Sequence, residues 1–171
     1  TKFKNRNIIS LVSDQTSWSN LGTPAYCWYN NNEGTYKNTY GALYNWFAVG
    51  TGNLCPDGWH IPTDGEWETL TDFLGGIDNA GVKMKESGFM HWLTYSNISA
   101  TNDSGFTGLP GAYRDRAGEF YQTIGHYGFW WSSTEVSSTN AWDRGLYYDK
   151  NSVSRGDGWK KNGISVRCLK D

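Results

Sequence analysis

The sequence predicts an α+β fold, with helices in the first half and short, turn-punctuated extended segments in the second. Three observations carry that reading. Thr63-Asp64-Gly65-Glu66 has the form of a helix start, and the residues after it are apolar at helical spacing. Beyond Gly76 the chain is rich in Gly, Ser and Asn, and its apolar residues fall in short runs between turn signals. The composition agrees: only 37% of residues are hydrophobic, but 16% are aromatic, with 10 Trp and 11 Tyr against 2 Met, and 21 are Gly. Such a core rests on a few large rings, each burying considerable area. The length of 171 residues suits one domain over 1–171.

In chain order, Thr1 to Glu33 is polar with scattered apolar residues, and Asn30-Asn31-Asn32-Glu33-Gly34 is a turn signal. Tyr40, Leu43, Tyr44 and Phe47 fall at i, i+3, i+4 and i+7, which predicts a helix over 40–49 stopped by Gly50. Cys55 to Pro62 reads as a turn and a short extended stretch. In the second helix the Thr63 hydroxyl is placed to accept from the third helical N–H and Glu66 to reach back to the Thr63 N–H. Trp67, Leu70, Phe73 and Leu74 are its expected buried face, and Gly75-Gly76 its end. Gly81 to Lys85 reads as short and irregular. Phe106 to Tyr113 and Gly118 to Ile124 read as loops and short strands. Phe129 to Thr134 reads as a strand, and Ala141 to Tyr148, Ser152 to Arg155 and Gly163 to Leu169 as a final antiparallel set. Two helices with small twisted antiparallel sheets and long ordered loops is the expected outline.

The formal net charge is −2 and no Lys/Arg run exists, which argues against nucleic acid as a partner. No stretch has the apolar length of a membrane span, so membrane insertion is not expected of this segment. The chain begins at Thr1 without Met and reads as a mature or trimmed fragment. Its three cysteines, Cys27, Cys55 and Cys168, lack zinc-ligand spacing. They allow at most one internal disulfide, and by number alone they leave the compartment open.

Several motifs, taken in order, resemble one family: Tyr40-Gly41-Ala42-Leu43-Tyr44-Asn45-Trp46; Cys55-Pro56-Asp57-Gly58-Trp59-His60-Ile61-Pro62 running on to Trp67; Gly105-Phe106 with Leu109-Pro110-Gly111; Trp130-Trp131-Ser132-Ser133-Thr134; and Gly163-Ile164-Ser165-Val166-Arg167-Cys168. Together they resemble the Fibrobacter succinogenes major paralogous domain from about Tyr26 to Asp171. The resemblance implies a C-type-lectin-like fold and an extracellular or cell-surface setting in a gut bacterium, with a phage particle as the alternative. It extends to the variable proteins of diversity-generating retroelements, which carry diversified residues near the C-terminus of such a scaffold. It also implies a Cys55–Cys168 bridge, which closes a loop of roughly 110 residues and contributes on the order of 4–5 kcal/mol in the chain-entropy model. Relatives often carry a second cysteine after the one matching Cys27. Here Asn38-Thr39-Tyr40 stands in that region, so Cys27 is expected to be unpaired.

No catalytic constellation stands out. His60 reads as a structural residue bonded within its turn before it reads as a general base, and His91 and His126 lack an acidic partner at a motif spacing. Ser132-Ser133-Thr134 lacks the context of a nucleophile elbow. Cys27 lacks the paired cysteine of the formylglycine-generating enzymes, which share a distantly related fold. None of the four prolines lies in a tripeptide of calcium-dependent lectin sites; no cofactor is expected, and a structural calcium ion stays open. Asn97-Ile98-Ser99 and Asn102-Asp103-Ser104 fit the glycosylation sequon, a common chance pattern. The sharpest signal is Trp142 to Lys160, where aromatic rings stand beside Asp, Ser, Asn and Gly in a paratope-like mixture. Trp142, Leu146 and Val153 are expected in the core. Asp143, Tyr147, Asp149, Asn151, Ser154, Asp157 and Trp159 are the expected ligand-binding residues, chosen partly by alternation along an extended chain. Arg144, Arg155 and Arg167 beside them read either as part of that surface or as structural partners of carboxylates and carbonyls. The expected function is non-enzymatic binding of a protein or glycan ligand on another cell or surface, with retroelement diversification of the C-terminal segment. The alternative is an invariant surface or carbohydrate-binding module.

Overall fold

The computed structural model describes residues 1–121 and 123–171. The first half carries β1 (Ser10–Leu11), α1 (Gln15–Ser19), β2 (Ala25–Cys27), a 3-10 turn (Tyr29–Asn31), α2 (Glu33–Tyr40), β3 (Leu43–Tyr44), α3 (Trp46–Val49), β4 (Trp59–His60), α4 (Asp64–Phe73) and α5 (Ala80–Met84). The second half carries β5 (Tyr127–Glu135), β6 (Asn140–Tyr147), β7 (Val153–Trp159) and β8 (Leu169–Lys170). The α+β class stands, with more and shorter helices than the two expected. The pairings are β1-β2-β3, β4-β8 and β5-β6-β7, all antiparallel except β1 with β2.

The helix over 40–49 does not form. Gly41, at φ 74°, ends α2, and Leu43 and Tyr44 pair with Cys27 and Tyr26 as β3. Asn45 then starts α3: its buried Oδ1 accepts from Ala48 N at 3.2 Å and from Ala25 N at 3.0 Å, while its Nδ2 donates to Thr23 O at 2.8 Å. The apolar spacing was real, but sheet pairing and a side-chain cap took the backbone that a continuous helix would have used. The turn signal upstream is partly correct. Asn30 and Asn31 adopt positive φ, but Asn32 is already the N-cap of α2, with its side chain accepting from Thr35 N, and Gly34 lies inside the helix.

The capping box of α4 is present in both directions: Glu66 N donates to Thr63 Oγ1 at 3.2 Å and Thr63 N to Glu66 Oε2 at 2.8 Å. Trp67 and Leu74 are buried as expected, whereas Phe73 is 86% exposed. The inner face of α4 runs through Asp64, Trp67, Thr71 and Leu74, and Phe73 stands about 200° round the helix from Thr71. Gly81 to Met84 is helical rather than irregular, while Lys85 is already extended and bridges to Gly108; Gly81 lets α5 press against the backbone of Asn151 and Ser152 with no room for a Cβ. The segment Gly163 to Leu169 does not extend the antiparallel β5–β7 set and meets β5 only through one parallel bridge. Ile164 bridges antiparallel to Tyr44, Ser165 bridges parallel to Trp130, and only then does β8 pair with β4.

The β5–β6–β7 sheet divides the core. On one face Trp130, Leu146 and Val153 pack with Trp67, Leu74, Ala80, Met84 and Trp92. On the other, Trp131 and Ala141 pack with Val49, Cys55, Ile61 and Ile164. A third cluster, around Trp18, Ala25, Cys27, Tyr29 and Leu43, fills the N-terminal part. Indole N–H groups tie distant segments together: Trp18 to Lys161 O, Trp46 to Ser132 O, Trp92 to Gly108 O and Trp131 to Tyr44 O, all at 2.8–2.9 Å. Buried indoles thus supply both area and long-range hydrogen bonds. Cys55 and Cys168 are bonded to each other, and Cys27 is free and buried.

Candidate functional site

Register decides which side chains of the C-terminal segment share a surface. Residues directly opposite in an antiparallel pair lie on the same face. The pairs Tyr127↔Tyr147, Phe129↔Gly145, Trp131↔Asp143 and Gly145↔Ser154 define one face. The pairs Trp130↔Arg144, Arg144↔Arg155, Trp142↔Asp157 and Asn140↔Trp159 define the other. The expected binding residues therefore do not form one surface. Asp143, Tyr147 and Ser154 lie on the first face, and Asp157 and Trp159 on the second. Asp149 and Asn151 belong to the turn between β6 and β7. Alternation was carried across that turn, where the period of two does not persist.

Asp143 is not an exposed contact residue; it is 9% exposed. Gly156 and Gly158 leave bare backbone beneath it, and a Cβ at Gly158 would lie 2.5 Å from its carboxylate. Burial pushes the Asp143 carboxyl up to about 6, against the opposing effect of Arg144 and a hydrogen bond from the Gly158 N–H. Trp142 is half-buried rather than core, with the Arg155 guanidinium stacked 3.4 Å above its ring. Leu146 and Val153 are core as expected.

The arginines beside the segment have structural partners. Arg144, 1% exposed, bonds Asp64 Oδ1 at 2.7 Å, and Arg155 bonds Asp64 Oδ2 at 2.6 Å. Burial pushes the Asp64 carboxyl up, but hydrogen bonds from Arg155 and Arg144 outweigh it and hold it below the ordinary value. Arg167 donates to Phe106 O at 2.8 Å and lies over the Phe106 ring.

What the sheet does present is a continuous row of half-exposed rings that runs from one side to the other: Tyr127, Phe129 and Tyr147 stand on the first face, whereas Tyr148 packs against the core cluster of the second. Tyr95 meets Tyr148 at 5.6 Å between centroids, Tyr148 meets His126 at 5.0 Å, and His126 meets Tyr127 at 5.7 Å. Tyr127 meets Tyr147 at 5.2 Å and Phe129 at 6.2 Å. Phe129 meets Tyr113 at 5.4 Å, and Tyr113 stacks on Tyr121 at 5.4 Å and 21°. Most contacts are edge-to-face, so each ring braces the next. The ends are the most open, with Tyr95 50% and Tyr121 45% exposed. Of the expected residues only Tyr147 belongs to this row. Phe129 was legible as the start of a strand and Tyr127 lay outside that reading; only the register of β5 with β6 puts both beside Tyr147. Tyr95, Tyr113 and Tyr121 arrive from segments without strand or helix, and no local signal marked them.

The catalytic candidates are occupied or masked. His60 contacts Asp171 Oδ1 through Nδ1 at 2.5 Å and Glu66 Oε1 through Nε2 at 2.9 Å; the bond to Asp171, then that to Glu66, raises its pKa. Its partners therefore lie outside its own turn. His91 has the acidic partner that spacing did not reveal, Glu86, at 2.8 Å. Burial pushes the Cys27 thiol up to about 12, which keeps it protonated. Ser132 is fully buried, and its hydroxyl accepts from Thr134 N. Among the described residues no three His, Cys, Asp or Glu side chains converge as a metal cluster. Among the described residues no helix is long and apolar enough to cross a membrane.

The fold and this face define an α+β domain with an aromatic-rich sheet surface. The chain belongs to the Fibrobacter succinogenes major domain family, whose model matches residues 3–170 and so also takes in the first strand and helix, upstream of the motifs. No curated protein and no solved structure matches it.

Proposed function

We propose that this domain is a non-enzymatic recognition module with a C-type-lectin-like fold, and that its ligand docks on the row running from Tyr95 through Tyr148, Tyr127 and Tyr147 to Tyr113 and Tyr121. The row itself carries the reading. Half-exposed rings already braced by neighbours lose little side-chain freedom on binding, and their seat on an antiparallel sheet makes the surface pre-organised. The ligand is a protein or glycan displayed on another cell or surface. The lectin-like assignment draws support from the resemblance of the ordered motifs and from the return of the chain end, where β8 pairs with β4 beside the Cys55–Cys168 bridge. The bridge also favours an extracellular or cell-surface setting, because disulfides persist in oxidising compartments. A second reading, an invariant carbohydrate-binding module, is favoured by Tyr121: an exposed ring stacked flat on Tyr113 resembles a sugar platform.

The test screens the protein against a glycan array and against bacterial and host cells, beside the double variant Tyr127→Ala/Tyr147→Ala. Binding of the native protein should fall by at least about tenfold in the variant, the usual scale for two aromatic contact residues. Near-ultraviolet circular dichroism checks that the variant keeps its packing. Undiminished binding by a folded variant would remove the row as the docking surface.

A further inference from the structure

At the end of β7, away from the aromatic row, a cleft of about 440 Å³ opens between the β6–β7 end of the sheet, α3 and the loop after Arg114. Its volume is that of a small-molecule site. Phe47, Ala117 and Trp159 give it apolar walls, and Ser138 and Thr139 supply hydroxyls. Three cations line it and no carboxylate does, in a chain of net charge −2. One cation is neutralised: Lys160 pairs with Glu135 and also donates to Ser138 O at 3.2 Å. Lys161 donates to Ser19 O at 2.6 Å, which leaves its charge without an acidic partner among the described residues. Arg116 makes no ion pair among the described residues, yet it is held in place, with its guanidinium 4.0 Å over the Trp159 ring. Stacking through the face leaves the guanidinium edge, with its paired N–H donors, free to grip a planar anion.

We infer that this cleft binds an acidic sugar, a hexuronate residue of an oligosaccharide, with the sugar carboxylate on Arg116 and Lys161. A pyranose has one apolar C–H face and a hydroxylated rim, which matches a site of aromatic walls and Ser/Thr hydroxyls. Its carboxylate supplies the charge that the two uncompensated cations lack. The inference does not depend on the aromatic row, which shares no residue with the cleft.

Calorimetric titration of the whole chain with trigalacturonate, with its neutral methyl ester and with sodium sulfate tests this. The acid should bind, and should weaken as salt is raised, because the exposed ion pair is screened. The ester, and the acid with Arg116→Gln, should each bind about tenfold or more weakly, the scale of a lost charge-assisted hydrogen bond. Trp159→Ala should weaken the acid similarly, and Tyr127→Ala/Tyr147→Ala should leave it unchanged. Thermal midpoints of the exposed-site variants monitor folding. Equal binding of acid and ester, no binding of the acid, or full binding by a folded Arg116→Gln would overturn the assignment. Displacement of the acid by sulfate at equal concentration would reduce the site to an anion site without sugar recognition. Loss of binding only in the tyrosine variant would move the ligand to the sheet.

Discussion

Asp143 shows how a polar residue in a promising segment becomes a structural liability. It sits on β6 opposite Gly156, and two glycines on β7 let its carboxylate lie against backbone instead of water. Its folded pKa, about 6, stands above the ordinary 3.8, so the folded state favours the protonated form. The stability from that preference is complete below about pH 4 and disappears as pH rises through about 6. Asp143→Asn keeps an acceptor for the Gly158 N–H and removes the charge. It should stabilise the fold by roughly 2–3 kcal/mol at pH 7 and by almost nothing near pH 4. Urea unfolding across that range measures the difference; parallel curves for the two proteins would sink the account. Asp64 is the opposite case. Its two arginines hold it ionised, and it is the acidic partner of the buried Arg144 guanidinium, whose Nε has no hydrogen-bond partner among the described residues. Losing Asp64 would therefore strip the buried Arg144 guanidinium of its carboxylate partner, whereas losing Arg144 would leave Asp64 still paired with Arg155.

At the scale of elements, helix α4 was legible because everything that defines its start is local. Thr63 and Glu66 are three residues apart, and the cap they form depends on no other part of the chain. The segment 40–49 was misread because what defines it is distant. Leu43 pairs with Cys27, and Asn45 bonds Thr23 and Ala25 across a gap of about twenty residues. Asn45→Ala would remove the α3 cap and leave the Ala25 N–H and Thr23 C=O without that partner. A lost cap plus a buried group left unsatisfied costs about 3 kcal/mol. For a chain of this size that lowers the thermal midpoint by roughly 6–12 °C. A calorimetric midpoint within two or three degrees of the native protein would show that water or a backbone shift replaces the side chain. The same distinction explains the binding residues. Tyr147 was found because it lies in the segment that composition singled out. Its neighbours Tyr127, Phe129 and Tyr113 were missed as a group because only the register of β5 on β6 and the Ala112↔Gly128 bridge bring them together.

Across the whole molecule, much of the cohesion comes from long-range ties. The Cys55–Cys168 bridge spans 113 residues, and the Trp18 indole reaches Lys161 O across 143. Replacing both bridging cysteines by serine should cost on the order of 4–5 kcal/mol in the chain-entropy model. Denaturant unfolding of the native and variant proteins reads this directly, after mass spectrometry of the unreduced protein has identified the linked peptides. An unchanged unfolding midpoint would mean that the indole and sheet ties already restrict the unfolded chain as much as the bridge does.

The sequence by itself determined the α+β class, the capped helix α4, the strand that became β5, the ring-based core and the family. Each of these depends on composition, on neighbours within one turn, or on motif order, all of which are one-dimensional. The tertiary structure decided that Asp143 is buried, that Arg144 and Arg155 serve Asp64, that Trp159 and Tyr147 occupy different faces, and that tyrosines far apart in the chain form one row. Those outcomes rest on strand register and on where loops land, and a shift of one residue in register reverses which face every side chain takes. Local chemistry chooses elements, while only the assembled sheet chooses surfaces.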